Sequence, residues 1–210
     1  DNKEAWENAQ AKMKNILDHL EIDYVEAEGE AAFYGPKLDI QGKNVYGKED
    51  TIITIQLDFF LPESLDMNYV DKDGKKKRPV VIHRSAIGSY ERTLAMLIEK
   101  YAGAFPLWIS PIQVKLLPIS ENEIEYANNV KAELVKNGFR VEVDSSDEKI
   151  GYKIRSAQLE KVPYMLIIGR NEVENNNVSI RSRSGEKIDG ISVNLLIDKL
   201  KDEVKQALEK

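Results

Sequence analysis

At 210 residues, 42% of them hydrophobic and 31% charged, the chain is long enough for one large or two ordinary globular domains with real cores. The absence of cysteine excludes disulfides and thiolate metal sites within it, and a net charge of -6 argues against indiscriminate nucleic-acid binding, so any RNA contact has to be local. No apolar run is long enough to span a bilayer, and Asp1-Asn2-Lys3-Glu4 carries no secretory signal, which points to the cytoplasm; a first residue other than methionine, running directly into helical sequence, reads as a piece of a longer protein.

Over residues 2–20 the side chains of Trp6, Ala9, Met13, Ile16, Leu17 and Leu20 recur at helical spacing, which predicts a charged helix with one buried stripe. Strand patterns follow over 24–28, 33–41, 51–60 and 78–83, with turn signals at Glu28-Gly29-Glu30 and Asp71-Lys72-Asp73-Gly74. Short turns between neighbouring strands predict antiparallel pairing. Lys75-Lys76-Lys77-Arg78, beside the second turn, reads as a solvated hairpin end. Leu94, Met96, Leu97, Ile98 and Tyr101 then return to the helical period.

Pro106 and Pro111 cannot continue that helix and place a domain boundary at 104/105, with Phe105, Leu107 and Trp108 as a packed hinge. Beyond it the periods alternate: strand 112–117, helix 120–136, strand 139–143, helix 150–159, strands 164–168 and 178–183, helix 192–208. Ser120 and Glu123 form a capping box, and Asn137-Gly138 is a helix stop. The prediction is an α+β unit with an antiparallel sheet over 1–104, followed by an α/β unit over 105–210 with a mixed, mainly parallel sheet.

Several residue groups could carry chemistry. Tyr34-Gly35-Pro36-Lys37 interrupts a strand, since proline removes a ladder donor and glycine packs nothing; such a break marks either a bulge where backbone meets a ligand or an edge-strand kink. Thr54, Gln56 and Asp58 alternate with Ile55, Leu57 and Phe59, so one strand face is polar and meets either water or a ligand. His83 ends a strand. Gly88 then lets backbone approach a ligand, Ser89 caps a helix and leaves its first amides facing an anion, and Arg92 offers a planar cation for a base or phosphate. Cap and arginine taken alone describe a solvated surface helix as well. Asp147, Arg155, Glu172 and Arg181 would be surface charges in a generic α/β domain.

Four motifs change that balance. Phe33-Tyr34-Gly35-Pro36-Lys37-Leu38-Asp39, Thr54-Ile55-Gln56-Leu57-Asp58-Phe59 with Leu61-Pro62-Glu63, Pro79-Val80-Val81-Ile82-His83-Arg84, and Gly88-Ser89-Tyr90-Glu91-Arg92 stand in the order found in class II aminoacyl-tRNA synthetases. The chain resembles the threonyl-specific branch of that family, with the last segment resembling motif 3, and from Phe105 onward it resembles the C-terminal anticodon-binding domain.

The resemblance implies ATP-dependent activation of L-threonine, with Mg2+, and its transfer to the 3′ end of tRNA(Thr). Arg92, with Gly88 and Ser89, would bind ATP; Tyr34, Lys37 and Gln56 would line the threonine and adenylate pocket, Arg92, Lys37 and Gln56 taking part in catalysis. Asp58 would be a structural partner. His83 would be one of three zinc ligands, the others lying upstream, so it is not expected to hold zinc tightly in this chain alone. Asp147, Arg155, Glu172 and Arg181 would read the tRNA anticodon, although asparagine is more usual in the family at Asp147. Motif 1, which builds the homodimer interface, and motif 2, which supplies an arginine for the α-phosphate, are not in the sequence, so the chain by itself is expected to be inactive. A non-catalytic RNA-binding or regulatory relative, or a prolyl, glycyl or histidyl synthetase, are the alternatives; Tyr34-Gly35-Pro36-Lys37 and His83 before Arg84 favour threonine.

Overall fold

The computed structural model describes residues 3–209, which divide into two compact units at Met96/Leu97.

The first unit opens with helix α1, Lys3–His19. Its apolar stripe is only half covered: Ala9 and Leu17 are buried, but Ile16 and Leu20 are each 58% exposed. The segment 24–28, predicted as a strand, is irregular backbone running into a turn, with no strand pairing, and Val25 is 92% exposed. A strand pattern without a neighbour cannot close a ladder. Strands β1 (Lys37–Lys43), β2 (Glu49–Asp58) and β5 (Val81–Arg84) form a three-stranded sheet in the order β1-β2-β5, antiparallel throughout. The backbone before β1 continues the ladder irregularly, Leu57 N donating to Pro36 O and Phe59 N to Tyr34 O. A five-residue helix α2, Phe60–Ser64, follows β2, which ends at Asp58, two residues short of the predicted strand end at 60. Its first amides are capped by Asp58, whose Oδ1 accepts from Phe60 N and Leu61 N at 2.9 Å each.

Strands β3 (Tyr69–Val70) and β4 (Lys76–Lys77) make a separate exposed hairpin, which carries the lysine run into solvent as the sequence suggests. Helix α3, Tyr90–Tyr101, starts in this unit. Ser89 Oγ accepts from Arg92 N at 3.3 Å, so the predicted cap forms.

The second unit is a five-stranded mixed sheet in the order β10-β9-β8-β6-β7. Strands β6 (Val114–Pro118), β7 (Val141–Val143) and β8 (Tyr164–Ile168) are parallel; β9 (Asn177–Ser182) and β10 (Lys187–Ser192) pair antiparallel onto β8 and β9. The sheet was read as mainly parallel; β10, which lacks a strong alternating pattern, balances it to half antiparallel. Helices α4 (Ile124–Lys136) and α7 (Val193–Leu208) cover one face, where Val114, Leu116, Leu166, Val178 and Ile180 pack against Leu134, Leu196 and Leu200. Helix α5, Ile150–Leu159, covers part of the other through Ala157 on Leu117 and Met165. A short helix α6, Arg170–Glu174, stands between β8 and β9. The Ser120 and Glu123 capping box forms, Ser120 N donating to Glu123 Oε2 at 2.7 Å.

Candidate functional site

In the first unit, Lys37 faces Gln56 across β1 and β2, and Gln56 faces His83 across β2 and β5. Directly opposed residues on paired strands project to the same side, so three residues scattered over the sequence become one lateral row. Tyr34 joins it: its hydroxyl donates to Gln56 Oε1 at 2.7 Å, and its ring meets that of His83 edge-on with centroids 6.1 Å apart. What lets the chain before β1 lie so close is Gly35, where a Cβ would stand 1.9 Å from Leu57 O.

The row rests on two carboxylates. Asp39, two residues along β1 from Lys37, accepts from Lys37 Nζ at 2.5 Å and from Thr54 Oγ1 at 2.8 Å. Asp58 is 6% exposed and accepts from His83 Nε2 at 2.8 Å. Burial alone would raise the Asp58 pKa, but hydrogen bonds from the Leu61 amide, His83 and the Phe60 amide outweigh it and hold the group below its ordinary value. A carboxylate on Nε2–H leaves Nδ1 as the ring's free lone pair.

Gly88, Ser89 and Arg92 stand at the start of α3 and are exposed. Gly88 has φ +71°, and a Cβ there would lie 2.1 Å from Ile52 O, so the close approach of this turn to β2 itself requires glycine. Its amide donates to Ser85 Oγ at 2.6 Å. Arg92 Nη1 donates to Thr51 O at 3.0 Å, which pins the guanidinium against β2 while leaving its other nitrogens available.

In the second unit, Asp147 is exposed in the loop before α5 and Arg155 is exposed on that helix. Glu172, half-buried in α6, has one oxygen on Gly169 N at 2.9 Å and the other on Ser179 Oγ at 2.7 Å. Burial pulls its pKa upward, but hydrogen bonds from Ser179, Gly169 and its own amide keep the carboxyl below its ordinary value. Arg181 is half-buried on β9, opposite Met165 and Lys187 and two residues from Ser179. Period 2 therefore places Ser179 and Arg181 on one face, so Arg181 and the Glu172 anchor share a sheet surface.

Sequence comparison divides along the same lines as the fold. Residues 2–101 match the tRNA synthetase class II core domain (G, H, P, S and T), and residues 113–203 match the anticodon binding domain family. A threonine–tRNA ligase from Clostridium botulinum (strain Eklund 17B / Type B) is 58% identical over 201 residues, 96% of this chain and 31% of that protein. One from Clostridium perfringens (strain SM101 / Type A) is 65% identical over 185 residues, 88% of this chain and 29% of that protein. Over most of its length the chain is similar to threonine–tRNA ligases, and its two matched stretches are a class II synthetase core domain and an anticodon binding domain. A solved RNA binding domain of threonyl-tRNA synthetase from Cryptosporidium parvum Iowa II superposes with a TM-score of 0.85 at 38% identity, over 97% of this chain and 52% of that one. The chain spans about a third of the length of the curated relatives it matches.

Against the zinc that a threonyl synthetase implies, the donors described here do not fit. A tetrahedral site needs three protein ligands and an open position, whereas no group of three His, Cys, Asp or Glu side chains converges among the described residues, and with Nε2 on Asp58 His83 offers Nδ1 alone. Asp39 closes the run Phe33-Tyr34-Gly35-Pro36-Lys37-Leu38-Asp39, and its place two residues after Lys37 on a strand is the only sequence signal of its role.

Proposed function

We propose that the chain forms part of a threonine–tRNA ligase: residues 1–104 the end of the catalytic domain, residues 105–210 the anticodon-binding domain. The reaction would be attack of the L-threonine carboxylate on the α-phosphate of ATP, then transfer of threonine to the 3′ end of tRNA(Thr), by an enzyme acting in the cytoplasm as a homodimer with Mg2+. The observation that carries this reading is the lateral row of Lys37, Gln56 and His83 under Tyr34. It offers a cation, an amide and an imidazole on one sheet face, a set suited to a carboxylate, an amine and a hydroxyl. Such chemistry depends on positioning and charge neutralisation more than on a general base. Arg92 supplies a planar cation at the start of α3 for the adenine or a phosphate. Zinc, in the enzyme, would need donors beyond those of this chain.

In the second unit, Asp147, Arg155, Glu172 and Arg181 offer carboxylates and guanidinium groups that can read base edges. Fluorescence anisotropy with a tRNA(Thr) anticodon stem-loop tests the reading. The chain should prefer the threonine anticodon over a scrambled one, and Arg181→Ala should weaken binding about tenfold. Equal affinity for both loops, unchanged in the variant, would remove anticodon recognition.

A further inference from the structure

We propose that Tyr152 is a stacking platform for an unpaired RNA base, acting beside Arg155 and Asp147; the proposal rests on the anticodon-binding reading above. Helix α5 is anchored along one side, with Lys153 at 3% and Ala157 at 0% exposure. Tyr152 falls on the outer side and leaves 60% of its surface to water. The other tyrosines of this unit are spoken for. Tyr101 packs its ring on Phe105 with centroids 6.2 Å apart, Tyr126 donates to Asn177 O, and Tyr164 donates to Glu203. Among the described residues, the Tyr152 ring and hydroxyl have no aromatic or hydrogen-bond partner, while its backbone N–H donates to Lys149 O at 2.8 Å.

Its position gives the exposed ring meaning. Helix α5 begins just beyond the carboxyl end of β7, at the edge of the sheet where β6, β7 and β8 all end. Ligands of open α/β sheets gather at that edge. Lys153, the next residue, ties the helix start there: its Nζ donates to Pro118 O at 3.0 Å and to Asp144 O at 3.2 Å, gripping the ends of β6 and β7. The ring is therefore exposed on a fixed backbone. Arg155 follows at i+3 and shares the outer helix face, and Asp147 lies in the loop leading into the helix. An aromatic face for the base, with a guanidinium and a carboxylate for its edges or phosphate, is how single-stranded RNA is held.

Anticodon stem-loop binding by the full 210-residue chain tests this with Tyr152→Ala and Tyr152→Phe. Both changes are at an exposed site, and circular dichroism checks the fold. Tyr152→Phe should bind as wild type, because the ring and not the hydroxyl is used, while Tyr152→Ala should bind about tenfold more weakly. With 2-aminopurine placed at each anticodon position in turn, one position should be quenched by wild type and Tyr152→Phe and not by Tyr152→Ala. Wild-type affinity in Tyr152→Ala, or no quenched position in wild type, would overturn the role of Tyr152 and leave the anticodon reading standing. A wild-type chain that fails to bind the stem-loop would overturn both.

Discussion

Gly35 and Gly151 show how differently one residue type can be used. At Gly35 a Cβ would stand 1.9 Å from Leu57 O and 2.8 Å from the Leu57 carbonyl carbon, both backbone atoms that cannot move aside cheaply. At Gly151, in the first turn of α5, a Cβ would meet nothing within 4 Å. Gly35→Ala should therefore cost roughly 3 kcal/mol as an overpacked site, while Gly151→Ala should be neutral or gain up to about 1 kcal/mol by removing a flexible residue from a helix. Urea melts of the two variants check this; equal effects would show that the approach at Gly35 is softer than drawn. Gly35 was visible in the sequence as a break in a strand, but the backbone it clears was not, because Leu57 lies on another strand. Asp39 shows the same limit: its bond to Thr54 spans fifteen residues and exists only once β1 and β2 pair in register.

Elements with a long period or a cap were legible, and those held only by tertiary partners were not. Helix α4 was readable from the Ser120 and Glu123 box at one end and Asn137-Gly138 at the other, where Gly138 takes φ +88°. Helices α2 and α6, five residues each, are too short to show a period, and β10 alternates weakly. Helix α6 is held instead by Glu172, which joins its start to β9 through Gly169 and Ser179. Because hydrogen bonding holds the Glu172 pKa below its ordinary 4.5, the ionised group's contribution is fully present above that pH and is lost as pH falls through the depressed folded value. Glu172→Gln should thus be less stable than wild type at pH 7, and the gap should close progressively in urea melts taken from about pH 5 downward. A gap that stays constant with pH would assign the effect to packing rather than to the charge.

At the scale of the whole molecule the two units differ in what holds them. The second buries Leu116, Leu117, Leu134, Met165, Leu166, Ile168, Leu196 and Leu200 completely or nearly so, each stabilising by roughly 1.5–3 kcal/mol. In the first, the buried apolar side chains among those described are Ala9, Leu17, Pro36 and Pro62, while β5 carries Ile82 at 63% exposure and α1 carries Ile16 at 58%. Hydrogen exchange on the chain should therefore find the slowest amides in β6 and β8 and fast exchange in β1 and β5; similar protection in both sheets would contradict this. Sequence alone determined the resemblance to the threonyl synthetases, the helical and strand periods and the caps, because those properties are local and are read along the chain. Tertiary structure alone decided that Lys37, Gln56 and His83 form one row, that Asp39 and Asp58 anchor it, that Glu172 is bonded inward and that Tyr152 faces water. Those facts depend on strand register and helix rotation, which are set by burial between segments far apart in sequence.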